Sequence, residues 1–309
     1  MSKKTHLTFA VVMAVLFFST HRGFAQQTPT FSEYNYNPFI INAAYAGLTE
    51  HTEFSLSNTG LLNPFEGSPR TLSFSGHGAL NRGKVGIGAG IIKDQIGVTT
   101  ATSFFGAYSY KLFFDFESKR PNWQLYSPGV LSFGITAGVQ QYQDNLLELG
   151  IVDDPNFAEN ISATIPTIGL GFLFNYDAFY VGISAPNVLG DAFASEDRLK
   201  LENPVYGYFG YHFYNNRFQQ LIIKPNALIK YENGAPLQAD LNVAISFKNK
   251  FEIGAGYRTS SSINVLAGFY VLQNFRFIYN YNIAASNSPL GNTHGFVLSY
   301  QFGNGYSAD

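Results

Sequence analysis

Val85-Gly86-Ile87-Gly88-Ala89-Gly90-Ile91 places apolar side chains at the odd positions and glycine at every even one. A helix would scatter these residues around its circumference, whereas a strand sends successive side chains to opposite faces. The stretch reads as a strand with one apolar face and one face stripped of side chains. A phosphate-binding glycine loop would need a helix to follow, and none does. Leu241-Asn242-Val243-Ala244-Ile245-Ser246-Phe247 alternates apolar with small or polar residues, and Phe275-Arg276-Phe277-Ile278-Tyr279-Asn280-Tyr281-Asn282 repeats the pattern with aromatics. One face of each suits lipid and the other a crowded or wet lumen.

Outward from these three, period two runs along almost the whole chain after Glu53. The alternating runs are Glu53–Ser57, Arg70–Gly76, Lys84–Lys93, Val98–Tyr110, Val130–Gln141, Thr167–Phe174, Phe179–Ala185, Val205–Phe213, Leu221–Tyr231, Gln238–Phe247, Phe251–Arg258, Ile263–Val271, Phe275–Ile283 and Gly295–Phe302. They number about fourteen, even as a single-chain bacterial barrel requires. With both termini periplasmic, the odd-numbered connections point outward. These include the longest, Tyr142 to Pro166 and Pro186 to Pro204, while Asn215-Asn216-Arg217 and Leu272-Gln273-Asn274 make tight periplasmic turns. Lys111 to Leu125 breaks this rule: it is either a partner-contacting periplasmic loop or the sign of a mis-counted strand. The expected fold is an all-β transmembrane antiparallel barrel over residues 50–309.

Composition agrees. Only 13% of the 309 residues are charged while 17% are aromatic, with 20 Tyr and 30 Phe, against roughly a quarter charged in a soluble domain. A soluble β-sandwich would alternate too, but it needs a charged outward face, and these faces carry Phe, Tyr, Ile, Leu and Val. Mean hydropathy is near zero, and after the first stretch no apolar run reaches the roughly eighteen residues of a spanning helix. The absence of cysteine removes disulfides, thiolate metal sites and thiol nucleophiles. A net charge of −2 argues against a nucleic-acid partner.

Lys3 and Lys4, the apolar run Leu7 to Phe18 and the small-x-small Gly23-Phe24-Ala25 form a secretory leader, so residues 1–25 are expected to be a signal peptide with Gln26 opening the mature chain. Residues 26–49 follow as an aromatic, nearly uncharged segment. Its Phe31, Tyr34, Tyr36, Phe39 and Tyr45 would be a liability in water, which predicts that Phe31 to Gly47 packs against the barrel.

Within that segment stand Phe31-Ser32-Glu33-Tyr34, Asn37-Pro38 and Asn42-Ala43-Ala44-Tyr45-Ala46-Gly47. Together they resemble the opening of mature chains in the PorP/SprF family of type IX secretion outer-membrane proteins. Ser68 to Ser75 and Val85 to Gly97 are similar to that family's second and glycine-rich strands. Where the family usually has Arg and Trp after the first strand, this chain has Asn58-Thr59-Gly60-Leu61-Leu62. The resemblance implies an outer-membrane barrel of Bacteroidetes-like bacteria. It would receive or anchor a secreted protein through that protein's C-terminal domain, often a gliding-motility adhesin, alongside other type IX secretion components. The motif residues Phe31, Ser32, Tyr34, Asn37, Pro38, Asn42, Ala44, Tyr45 and Gly47 carry it.

Two further sites are read from the residues. By parity Lys224, Lys230, Asp240, Glu252, Arg258 and Arg276 point into the lumen, where buried charges persist only when paired or hydrated, so a polar network that narrows the pore is expected. The connection Tyr142 to Pro166 carries Leu146, Leu147, Leu149 and Phe157, too apolar for an idle loop. Either a secreted partner covers them or the loop folds back into the barrel mouth. Catalytic and metal chemistry find no constellation: His51, His77, His212 and His294 are scattered, Phe74-Ser75-Gly76-His77 is no nucleophile elbow, and no cofactor is expected. Asp153 to Asn160 gathers hard oxygens but lacks a calcium-loop spacing and reads as a solvated loop. The competing function is a passive porin or small-molecule transporter.

Overall fold

A computed structural model describes residues 34–49, 51–61, 67–114, 129–151, 154, 157–190, 203–214, 221–259, 262–284 and 291–306. The leader, Gln26, and Phe31 and Ser32 of the motif lie outside the described residues. The strands are β1 Glu53–Leu61, β2 Arg70–Leu80, β3 Val85–Ile96, β4 Thr99–Phe114, β5 Gly129–Asp144, β6 Ile161–Tyr176 and β7 Phe179–Ala185. Then come β8 Val205–Tyr211, resumed at Phe213–Tyr214, and β9 Leu221–Tyr231. The last five are β10 Gln238–Phe247, β11 Phe251–Arg258, β12 Ser262–Val271, β13 Phe275–Ala284 and β14 Thr293–Gln301. The two pieces of β8 keep one register against β9, Gly210 opposite Asn226 and Phe213 opposite Ile223, and the break falls beside Pro225, which has no N–H for the ladder.

Every strand pairs antiparallel with its neighbour in sequence, and β14 pairs with β1, Gln301 opposite Glu53. The sheet is thus a closed up-and-down barrel of 14 strands, which leaves no edge within the bilayer. Among the described residues every non-glycine with positive φ (Asn81, Arg82, Asp177, Lys248, Asn249, Leu272 and Gln273) lies in a turn at one end, the end where β1 begins and β14 finishes. Such residues make the tight turns whose twist matches two paired strands. β4 and β5 pair directly with each other from Thr99 and Asp144 to Phe114 and Gly129, and the long connection between them lies outside the described residues.

The faces divide as alternation requires. Phe104, Tyr108 and Leu112 on β4, Phe133, Ile135 and Val139 on β5, and Leu241, Val243 and Ile245 on β10 are exposed outward. The inward positions hold Ser55, Ser57, Ser73, Ser75, Ser109 and Ser132, all buried. An apolar exterior over a polar interior is the pattern of a lipid-embedded barrel. No described helix is long and apolar enough to cross a membrane.

Candidate functional site

The lumen is not empty. Residues 34–49 cross it as two short 3-10 turns, Pro38–Ile40 and Ala43–Tyr45, and bury Tyr34, Tyr36, Phe39, Ile41, Ala44 and Ala46. One wall is built to receive backbone. A Cβ on Gly86 would strike Ala46 O, one on Gly134 would strike Ala44 N, and one on Gly171 would strike the Asn42 carboxamide. Hydroxyls and an ammonium then hold the carbonyls that the short turns leave unpaired: Ser109 Oγ and Lys111 Nζ donate to Ala46 O at 2.7 and 2.8 Å, and Ser132 Oγ to Ala44 O at 2.7 Å. Asn42 caps the second turn. Its Oδ1 accepts from Ala44 N at 2.8 Å while Nδ2 donates to Phe172 O at 3.0 Å and to the Tyr208 hydroxyl at 2.7 Å. Asn37 Nδ2 reaches Ser75 Oγ at 2.9 Å, and Gly47 N donates to His77 Nδ1 at 3.3 Å.

The opposite wall meets side chains instead. Asn242 Nδ2 donates to the Tyr34 hydroxyl at 2.6 Å, and the Tyr36 hydroxyl donates to Glu252 at 2.9 Å. Glu252, only 1% exposed, also accepts from Lys224 at 3.1 Å and from the Tyr270 hydroxyl at 2.8 Å. Arg258 grips Asp240 through two bonds of 2.9 and 2.7 Å, and Lys230 pairs with Glu232 at 2.8 Å. Arg276 donates to Glu53 at 2.8 Å and to Tyr36 O, and its guanidinium lies over the rings of Tyr306 at 4.6 Å and Tyr36 at 5.5 Å. Lys224, Lys230, Asp240, Glu252, Arg258 and Arg276 therefore all pair inside the barrel. Their partners Glu53, Glu232 and Tyr306 were not singled out in the sequence. Burial pushes the phenols of Tyr34, Tyr36 and Tyr45 up, so they stay protonated as hydrogen-bonding groups.

Beside the plug a cavity of about 190 Å³ remains, lined by Asn35, Tyr45, Tyr180, Tyr208, His212 and Asn226 among others. Leu146 and Leu149 bound a third 3-10 turn at the top of the β5–β6 hairpin, closed by Gly150 in the left-handed conformation. Leu147 N donates to Asn160 Oδ1, which ties the turn to its own loop. The turn does not fold into the barrel mouth: Leu147 is 57% and Leu149 47% exposed, with Ile151 exposed and Leu146 and Phe157 half-buried. Among the described residues no three His, Asp or Glu side chains come together as metal ligands. The inward Gly134 and Gly171, where a Cβ would strike residues 42–44, are the sequence signal for a thick occupant.

A closed, lipid-faced barrel filled by its own N-terminal segment defines the class: an outer-membrane β-barrel protein. The chain belongs to the PorP/SprF family, since the family model described as type IX secretion system membrane protein PorP/SprF matches residues 23–300. No curated protein matches. Among solved structures the chain is similar to the Acinetobacter baumannii outer membrane protein Omp33, at 10% identity over 82% of this chain and 99% of that one, with a TM-score of 0.45. It is also similar to BamA from Haemophilus ducreyi lacking POTRA domains 1–3, at 8% identity over 81% and 70% of the two chains, with a TM-score of 0.42.

Proposed function

We propose that this type IX secretion barrel receives or anchors a particular secreted protein at the cell surface, a gliding-motility adhesin being one such cargo. The tight-turn end, where β1 begins and β14 finishes, then faces the periplasm, and the β5–β6 loop faces outward. The carrying observation is a filled lumen combined with a bare apolar tip. A barrel whose bore is occupied by hydrogen-bonded chain suits holding better than conduction, and apolar side chains standing in water call for a protein partner. The partner's contact is its C-terminal domain, with other type IX components alongside; the chain does no covalent chemistry of its own. Replacing Leu146, Leu147 and Leu149 with Ser is expected to abolish retention of the secreted partner and leave heat-modifiable barrel migration intact. Full retention by that variant sinks the reading. The residual cavity beside the plug favours a second reading, a narrow porin; bilayer conductance of the purified protein decides, because a holder passes little current.

A further inference from the structure

The β5–β6 hairpin is longer than the bilayer needs. Outward-facing apolar residues stop at Val139 on β5 and Ile168 on β6; beyond them the outward positions are the exposed Gln141 and Gln143, and Pro166, Thr164 and Ser162. The hairpin thus rises above the hydrocarbon. Its neighbour does not follow: β7 pairs with β6 only from Ala185 opposite Leu170 down to the turn. Val188 N donates to Ile168 O at 2.7 Å, and there the chain turns off. Leu189 N donates to Asn187 Oδ1 and Gly190 N to Asn203 Oδ1 at 3.0 Å, so the connection leaves and returns through one neck. From Ile161 to Thr167, β6 pairs with β5 on one side and, among the described residues, has no strand on the other.

The bond from Val188 fixes which residues face that open side. Backbone N–H and C=O of one strand residue point the same way and alternate along the strand, so Ile168, Pro166, Thr164 and Ser162 all face away from β5. Pro166 carries no N–H there, the position at which a strand tolerates proline and a common way to blunt an edge. Thr164 and Ser162 above it keep theirs.

We propose that this raised edge takes up an extended segment of the secreted partner as an added strand, with the apolar tip covering its end. This rests on the holding function proposed above and names its mode: main-chain hydrogen bonds supply affinity and alternating side chains supply selectivity. The added strand is about five residues long. Its side chains alternate, polar beside Ser162 and Thr164 and apolar beside Ile161 and Ala163, while Ile165 is already buried by the chain itself. Pro166 sets the lower limit of pairing.

Ser162→Pro with Thr164→Pro removes the two donors on the open side without touching the β5 ladder, as Pro166 already does natively. In cells secreting the native partner, retention is expected to fall by about tenfold, the worth of two main-chain hydrogen bonds, with barrel migration unchanged. As a second measurement, the chain has no cysteine, so Ser162→Cys carrying a photoreactive thiol label should cross-link to the secreted protein that the wild type retains. Unchanged retention in the double proline variant, or no adduct from position 162 while the wild type still retains its partner, overturns the edge and leaves the holding function standing. A wild type that retains no secreted protein overturns both. Slow hydrogen exchange at the Thr164 amide in the purified barrel alone would mean that the chain covers its own edge, and the proposal fails.

Discussion

Asn42 shows how much one side chain in the plug does. It is 1% exposed, caps a turn with its oxygen and spends its amide on Phe172 O and the Tyr208 hydroxyl. Asn42→Ala leaves buried partners unsatisfied at a cost of about 1–3 kcal/mol, which should appear as faster proteolysis of residues 34–49 in an otherwise folded barrel. Gly86→Ala should do the same by overpacking, also at about 1–3 kcal/mol, because its new methyl meets Ala46 O. Alkali gives a third test. The plug phenols are raised above their ordinary value of 10.0, so the stability they contribute is full below that pH and lost as pH rises past it. Ultraviolet absorbance should show their ionisation only together with plug release. Asn42 was legible as a motif residue, but its partners were not. They lie more than a hundred residues away, and nothing in a strand's alternation says what its inward side chain touches.

Strands were legible in number and limited in length. The alternation in β5 and β6 was read to end at Gln141 and to begin at Thr167, whereas the ladder runs on to Asp144 and starts at Ile161. Apolar alternation stops where outward residues turn polar, which marks the edge of the hydrocarbon rather than the end of hydrogen bonding. Arginine placed along β5 should report that edge. Ile135→Arg is expected to destabilise insertion into vesicles by about 2–4 kcal/mol, while Gln143→Arg costs roughly 0–1 kcal/mol. Equal costs at the two positions would mean that the hairpin is immersed. The tight turns were legible from their length, but the left-handed backbone of Lys248 and Leu272 was not, since neither residue type favours it.

For the molecule as a whole, removal of residues 34–47 should raise single-molecule conductance well above that of the full chain, provided the barrel still migrates as folded. The same rise in the Gly86→Ala variant would tie it to the plug. Closure was foreseeable from an even strand count, whereas a bore filled by the chain's own beginning was only half so: its aromatic content demanded packing without saying on which side of the wall. Arg276 ties this filling to the wall. It lies on β13, yet it holds Glu53 from the first strand, Ser299 Oγ from the last at 3.1 Å and Tyr36 O from the plug. Those groups come from opposite ends of the chain. A nascent protein that has lost its final strand, or whose leading segment has been clipped, leaves this cation facing a half-built socket. Copies truncated at either place should therefore be open, protease-sensitive forms, because one guanidinium closes contacts to the first strand, the last strand and the plug at once.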